Sequence, residues 1–194
     1  AEQSGFINDL GFEAYHKILD EAISELKESE FKDLFFKEMN TKELLTDCII
    51  ETDLQMLIPD YYVQSISERL SLYNELDNVK NEEELEKFQI KLLDRFGKLP
   101  KEVEDLVETV RLRWLAEKIG FEKLILKGQT LKGQFPSSEK QEYYNSERFG
   151  KVIDFLQKNP KSAKLKELNK RQLMIFEEVK KISQAIEVLG KVLE

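Results

Sequence analysis

Apolar positions recur along this chain with two different periods, and the switches between them divide it into elements. From Phe12 to about Lys27 the apolar residues Phe12, Tyr15, Ile18, Leu19, Ala22, Ile23 and Leu26 fall on one helical stripe. Residues 29–46 mix Phe31, Leu34, Phe35 and Phe36 with charges and read as a linker with a short helical patch. From Asp47 the period drops to two. Cys48, Ile50, Thr52, Leu54 and Met56 alternate with Ile49, Glu51, Asp53 and Gln55, the pattern of a half-buried strand that Ile58-Pro59-Asp60 interrupts.

Three helices are expected next. The first carries Val63, Ile66, Leu70, Tyr73 and Leu76 on one side. The second opens at Asn81, with Glu84 three positions on as a variant capping box, and runs through Leu85, Phe88, Leu92 and Phe96. Gly97 supplies the left-handed position that closes it, and Pro100 fits the first turn of the third helix, where a missing N–H costs nothing. At this corner Leu92, Leu93, Phe96 and Leu99 are expected inward, with Asp94 and Arg95 outward. The third helix buries Val103, Val107, Val110 and Trp114 and stops at Gly120.

Strands then return. Lys123 to Leu126, a turn at Gly128-Gln129, and Leu131 to Phe135 form a hairpin, followed by an exposed loop from Pro136 to Asn145. A short helix with Phe149, Val152, Ile153 and Leu156 stops at Asn159-Pro160. A second hairpin turns at Asn169-Lys170, and Phe176 to Leu193 is expected as a closing helix. The fold class is α+β: a helical half of three helices after one strand, two hairpins, and a C-terminal helix beside a small antiparallel or mixed sheet.

Composition narrows the chemistry. A hydrophobic content of 41% over 194 residues supports a sizeable core, and no apolar run reaches the roughly 18 residues of a membrane span. One cysteine excludes an internal disulfide and a multi-cysteine metal site, which leaves a cytoplasmic protein as the expectation. The one histidine, His16, has no second ligand at i+4. Glycine-rich phosphate loops are missing, and Ser–His–Asp chemistry has no support from a lone histidine so far upstream. Charge is uneven: residues 1–59 hold 5 basic and 14 acidic side chains, 60–110 hold 7 and 13, and 111–194 hold 18 and 11. The acidic part suits a basic protein partner. The basic cluster Lys161, Lys164, Lys166, Lys170 and Arg171, near Tyr143 and Tyr144, offers a rival reading as a nucleic-acid contact. From the residues alone, the chain is a non-catalytic interaction domain.

Three ordered motifs add to this reading. They are Leu57-Ile58-Pro59-Asp60-Tyr61-Tyr62, Glu68-Arg69-Leu70-Ser71-Leu72-Tyr73, and Asp94-Arg95-Phe96-Gly97-Lys98-Leu99-Pro100, continued by Leu115-Ala116-Glu117-Lys118-Ile119-Gly120. Together they resemble the C-terminal domain of the bacterial transcription-repair coupling factor (Mfd) family, from about Leu44 to the end. Residues 1–43, with Gln3 and Gly11 to Tyr15, resemble the tail of that family's translocation motif and the helix after it. The resemblance implies a parent that moves on double-stranded DNA with ATP and Mg, displaces stalled RNA polymerase and recruits the excision-repair protein UvrA. The fragment itself is expected to bind no cofactor and to hydrolyse nothing. Its implied role is a clamp on an N-terminal UvrB-like domain of the same protein, masking the UvrA-binding surface. Asp94 matches an acid of that interdomain pairing, Lys91 stands where the family has a glutamate, and Glu84 and Glu86 are the substitutes to consider. Locally, Asp94 has Arg95 and Lys98 as competing partners.

Overall fold

A computed structural model of the chain describes residues 48–194. The helix expected over 12–27, the linker over 29–46, His16, Gln3 and the boundary at 43/44 lie outside the described residues. Within them are six helices and one mixed five-stranded sheet, an α+β arrangement as expected. The helices are α1 (Ile66–Asn78), α2 (Glu82–Phe96), α3 (Lys101–Ile119), α4 (Gln141–Tyr144), α5 (Glu147–Lys158) and α6 (Ile182–Leu193). The strands are β1 (Ile49–Thr52), β2 (Lys123–Lys127), β3 (Thr130–Ser137), β4 (Lys164–Leu168) and β5 (Arg171–Glu177), in the sheet order β1-β2-β3-β5-β4. The chain divides into two compact units, and α3 runs through the division between Val107 and Glu108.

In the first unit, the described part spans residues 55–107. Its entry is a tight turn in which the Tyr62 and Val63 N–H groups both donate to the Pro59 carbonyl. The helix expected from Val63 therefore starts later, at Ile66, where the Ser65 hydroxyl accepts the Glu68 N–H as N-cap. Arg69 is buried, and its guanidinium donates to the Val63 and Gln64 carbonyls, so a charged side chain satisfies backbone acceptors that the turn leaves without partners. The Tyr73 hydroxyl accepts the Ile58 N–H at 2.7 Å. Burial pushes the Tyr73 phenol up to about 12, against smaller downward effects from that hydrogen bond and from Arg69.

The second unit holds the sheet. β1 runs parallel to β2, and every other neighbouring pair is antiparallel. Both hairpins turn where expected, with positive φ at Gly128 and Gln129 and at Asn169 and Lys170. Register places Leu124, Gly133 and Met174 in one row and Leu126, Leu131 and Phe176 in the next, so one sheet face is apolar. Helix α5 lies over that face, where Phe155 meets Phe176, and Lys151 at its start donates to the Leu193 carbonyl at the end of α6. Gly133 is required here because a Cβ would come within 2.3 Å of the Phe121 ring.

Several elements depart from the sequence pattern for local reasons. β1 ends at Thr52 rather than continuing to Met56, because the Thr52 hydroxyl takes the Leu54 N–H and turns the chain. Trp114 is half-buried, while Leu106 and Leu112 are buried in its place. The segment after Pro136 is no open loop. β3 continues to Ser137, α4 follows, and Tyr143 and Tyr144 pack against Phe149 with their hydroxyls donating to the Ile119 and Pro136 carbonyls. The last helix starts at Ile182, not Phe176, which belongs to β5. Glu178 takes a positive φ and breaks the run, and the Gln184 side chain accepts the Lys180 N–H at the new helix start. Leu93, expected inward at the Gly97 corner, points outward.

Candidate functional site

Helix α2 owes its position to both ends. At its start the Asn81 carboxamide accepts the Glu84 N–H at 3.0 Å, and the Glu84 carboxylate reaches back to the Lys80 N–H at 2.8 Å. This is a capping box shifted by one residue, and it draws Glu84 into the helix end. At the other end Gly97 has φ 83° and ψ −160°, and its N–H closes onto the Leu93 carbonyl. The Tyr62 hydroxyl then sits between the Leu92 and Gly97 carbonyls, 3.1 and 3.0 Å away. Leu85, Phe88 and Leu92 form the buried face.

Two ion pairs fix α2 to α1. Lys91 Nζ lies 2.5 Å from Glu75 Oε2, and Arg95 bonds Glu68 while its guanidinium stands 5.0 Å from the Phe96 ring centroid. Lys91, at the position where the resemblance anticipates an acid, is thus committed within the unit. Arg95 is drawn to α1, and among the described residues neither it nor Lys98 forms an ion pair with Asp94. A third pair, Glu83 with Lys87, closes on the helix surface at 2.6 Å.

What stays open is one outward strip. Asp94 and Glu86 are exposed and form no ion pair or side-chain hydrogen bond among the described residues. Between them lie Ile90, 64% exposed, and Leu93, 53% exposed. The strip is available to a cationic, partly apolar surface; it holds no general acid, base or nucleophile constellation. Among the described residues no group of three His, Cys, Asp or Glu side chains is arranged to hold a metal ion. Of the sequence candidates, Glu86 and Asp94 share this strip, Glu84 serves the helix start, Lys91 serves the α1–α2 contact, and Gln3 lies outside the described residues. Ile90 is absent from the sequence candidates and Leu93 was expected inward, although helical period carries the signal: Ile90 lies about 200° round the helix from Phe88.

The basic cluster of the second unit is largely paired. Lys164 meets Glu177 at 2.7 Å, Lys170 meets Glu139 at 3.0 Å, and Arg171 joins Lys140 on Glu122. Burial raises the Glu122 carboxyl, but hydrogen bonds from Lys140 and Arg171 outweigh it, and the net shift is downward. Tyr143 and Tyr144 have their rings in an aromatic cluster rather than spread for base stacking.

Comparison with known proteins bears on the family and the fold. The family profile described as the TRCF domain matches residues 52–146. The transcription-repair-coupling factor of Escherichia coli (strain K12) is 34% identical over 166 residues, covering 84% of this chain and 13% of that protein. That of Rickettsia typhi is 30% identical over 169 residues, covering 87% of the chain and 14% of the relative. The chain therefore spans about an eighth of the length of these relatives. A crystal structure of the C-terminal domain of transcription-repair coupling factor superposes with a TM-score of 0.61 at 19% identity, covering 78% of this chain and 96% of that one. At that identity the likeness speaks for the fold.

Proposed function

The chain belongs to the TRCF domain family, and from that premise we propose that it is a regulatory docking domain within a transcription-repair coupling factor. On this reading residues 44–194 form the regulatory domain and residues 1–43, with Gln3, the end of the translocation motor. The parent is an ATP- and Mg-dependent translocase on double-stranded DNA that removes stalled RNA polymerase. The fragment performs no catalysis. It docks on the N-terminal UvrB-like domain of the same protein and masks the surface that UvrA needs.

One observation carries this reading. Asp94 stands exposed without a cation among the described residues, while the adjacent Arg95 is held by Glu68 and the nearby Lys91 by Glu75. A carboxylate left unneutralised beside two committed cations offers its charge outward. Glu86 adds a second on the same strip. Exposed ion pairs contribute about 0.2–1 kcal/mol each, which suits a contact that must open when polymerase is engaged. A differential affinity of about 3 kcal/mol between closed and open states changes the masked population by about two orders of magnitude.

The test is charge reversal in the intact parent. Asp94→Lys replaces attraction by repulsion and is expected to raise UvrA affinity about 3- to 10-fold without polymerase present. UvrA affinity equal to that of the unaltered protein would remove Asp94 from the clamp.

A further inference from the structure

We infer that Ile90 and Leu93 form the apolar anchor of the docking strip, and that its occupant is a protein surface presenting an apolar side chain between two cationic ones. This inference rests on the docking reading above and specifies how that contact is made. A single exposed aliphatic side chain on a helix calls for no explanation. Here two stand at i and i+3 on the face turned away from Leu85, Phe88 and Leu92, and both are more than half exposed. The carboxylates of Glu86 and Asp94 bracket them at i−4 and i+4. Around the strip, the other side chains of α2 that could neutralise those acids are engaged: Lys87 by Glu83, Lys91 by Glu75 and Arg95 by Glu68.

This charge arrangement selects among occupants. A second copy using the same strip about a two-fold axis would bring Glu86 and Asp94 against Asp94 and Glu86 of its mate, a contact between like charges. An anionic lipid surface meets the same repulsion. A basic surface with an aliphatic or aromatic centre satisfies both features: the cations take the carboxylates, and the apolar group covers Ile90 and Leu93. The division of labour follows from distance dependence. Screened acid pairs set the salt sensitivity of the contact, and burial of the two aliphatic side chains supplies affinity that salt does not erase.

The experiment measures binding of this chain to the N-terminal UvrB-like domain of the same parent by calorimetric titration at 50 and 300 mM salt. Three forms are compared: the unaltered chain, Ile90→Gln with Leu93→Gln, and Glu86→Gln with Asp94→Asn. Glutamine keeps the helix, and unchanged circular dichroism and α2 hydrogen exchange verify that. The apolar double variant is expected to bind about 10-fold more weakly at both salts, with the salt dependence intact. The acid double variant is expected to weaken mainly at 50 mM salt and to flatten the salt dependence. Equal affinity of the apolar variant and the unaltered chain would overturn the anchor while leaving docking in place. No binding by the unaltered chain at either salt would overturn docking and anchor together. Sedimentation showing a dimer of this chain that the apolar variant abolishes would make the occupant a second copy and also overturn the inference.

Discussion

Replacing Gly97 by alanine isolates the backbone term that ends α2. Gly97 has φ 83° and ψ −160°, a combination that only glycine adopts without strain. A Cβ built there meets no atom within 4 Å, so the substitution adds no clash to confuse the measurement. The cost is the dihedral strain alone, about 1–3 kcal/mol. Gly150 in α5 and Gly190 in α6 provide the counterpart. They too have open space at the Cβ position but lie inside helices. There alanine is expected to stabilise by about 0.5–1 kcal/mol. Because the chain has two compact units, native-state hydrogen exchange is the suitable assay: α2 amides report the first unit, and α5 and α6 amides the second. Gly97→Ala should lower protection of α2, whereas Gly150→Ala should raise that of α5. A Gly97→Ala protein as protected as the parent, or destabilised Gly150→Ala, would refute the assignment of these positions to special and ordinary helical backbone.

Further outcomes follow from named contacts. Tyr62→Phe removes the hydroxyl shared by the Leu92 and Gly97 carbonyls and should cost the first unit about 0.5–1.5 kcal/mol in urea unfolding followed by tyrosine fluorescence. Arg69→Met leaves the Val63 and Gln64 carbonyls without their buried donor and should cost more, about 1.5–3 kcal/mol. Gly133→Ala drives a methyl group into the Phe121 ring and should destabilise the sheet unit by about 1–3 kcal/mol, read by protection of the β2 and β3 amides. Glu122 has its folded-state carboxyl lowered, so its contribution is present above the ordinary value of 4.5 and is lost as pH falls below it. Glu122→Gln should therefore be less stable than the parent at pH 6, with the difference shrinking as acid melts proceed below pH 4.5.

The elements governed by short-range chemistry were legible in the sequence. Asn81 with Glu84, Gly97 with Pro100, and the turns at Gly128-Gln129 and Asn169-Lys170 are decided by the residues at those positions, and they sit where pattern and turn chemistry put them. The errors arose where a side chain some distance away along the chain, or a side chain competing locally for the backbone, decided the matter. Thr52 capped its own strand, and the β5 register took Phe176 from the closing helix. Tyr143 and Tyr144, which as sequence are exposed polar-loop residues, are drawn inward by Phe149 and by carbonyls at Ile119 and Pro136.

The candidate site was legible in part for the same reason. The outward placement of Asp94 followed from helical period, but its lack of a cation among the described residues depended on Glu68 taking Arg95 across 27 positions of chain. Lys91 has no structural role legible in the sequence; its contact with Glu75 supplies one. Leu93 looked like a corner contact because it neighbours Leu92. Leu92 continues the buried face of Leu85 and Phe88, whereas Leu93, about 100° further round the helix, lies in solvent.

The proposed contact of the outward strip of α2 is charge-specific and releasable, and a charge-swap cycle measures it most directly. In the isolated pair of domains, Asp94→Lys should weaken binding about 5-fold or more at 50 mM salt, and reversing a cation on the proposed docking surface of the N-terminal domain should do the same. Combined, the two reversals should restore most of the lost affinity. Binding that ignores Asp94→Lys, or losses that simply add with no recovery, would contradict it.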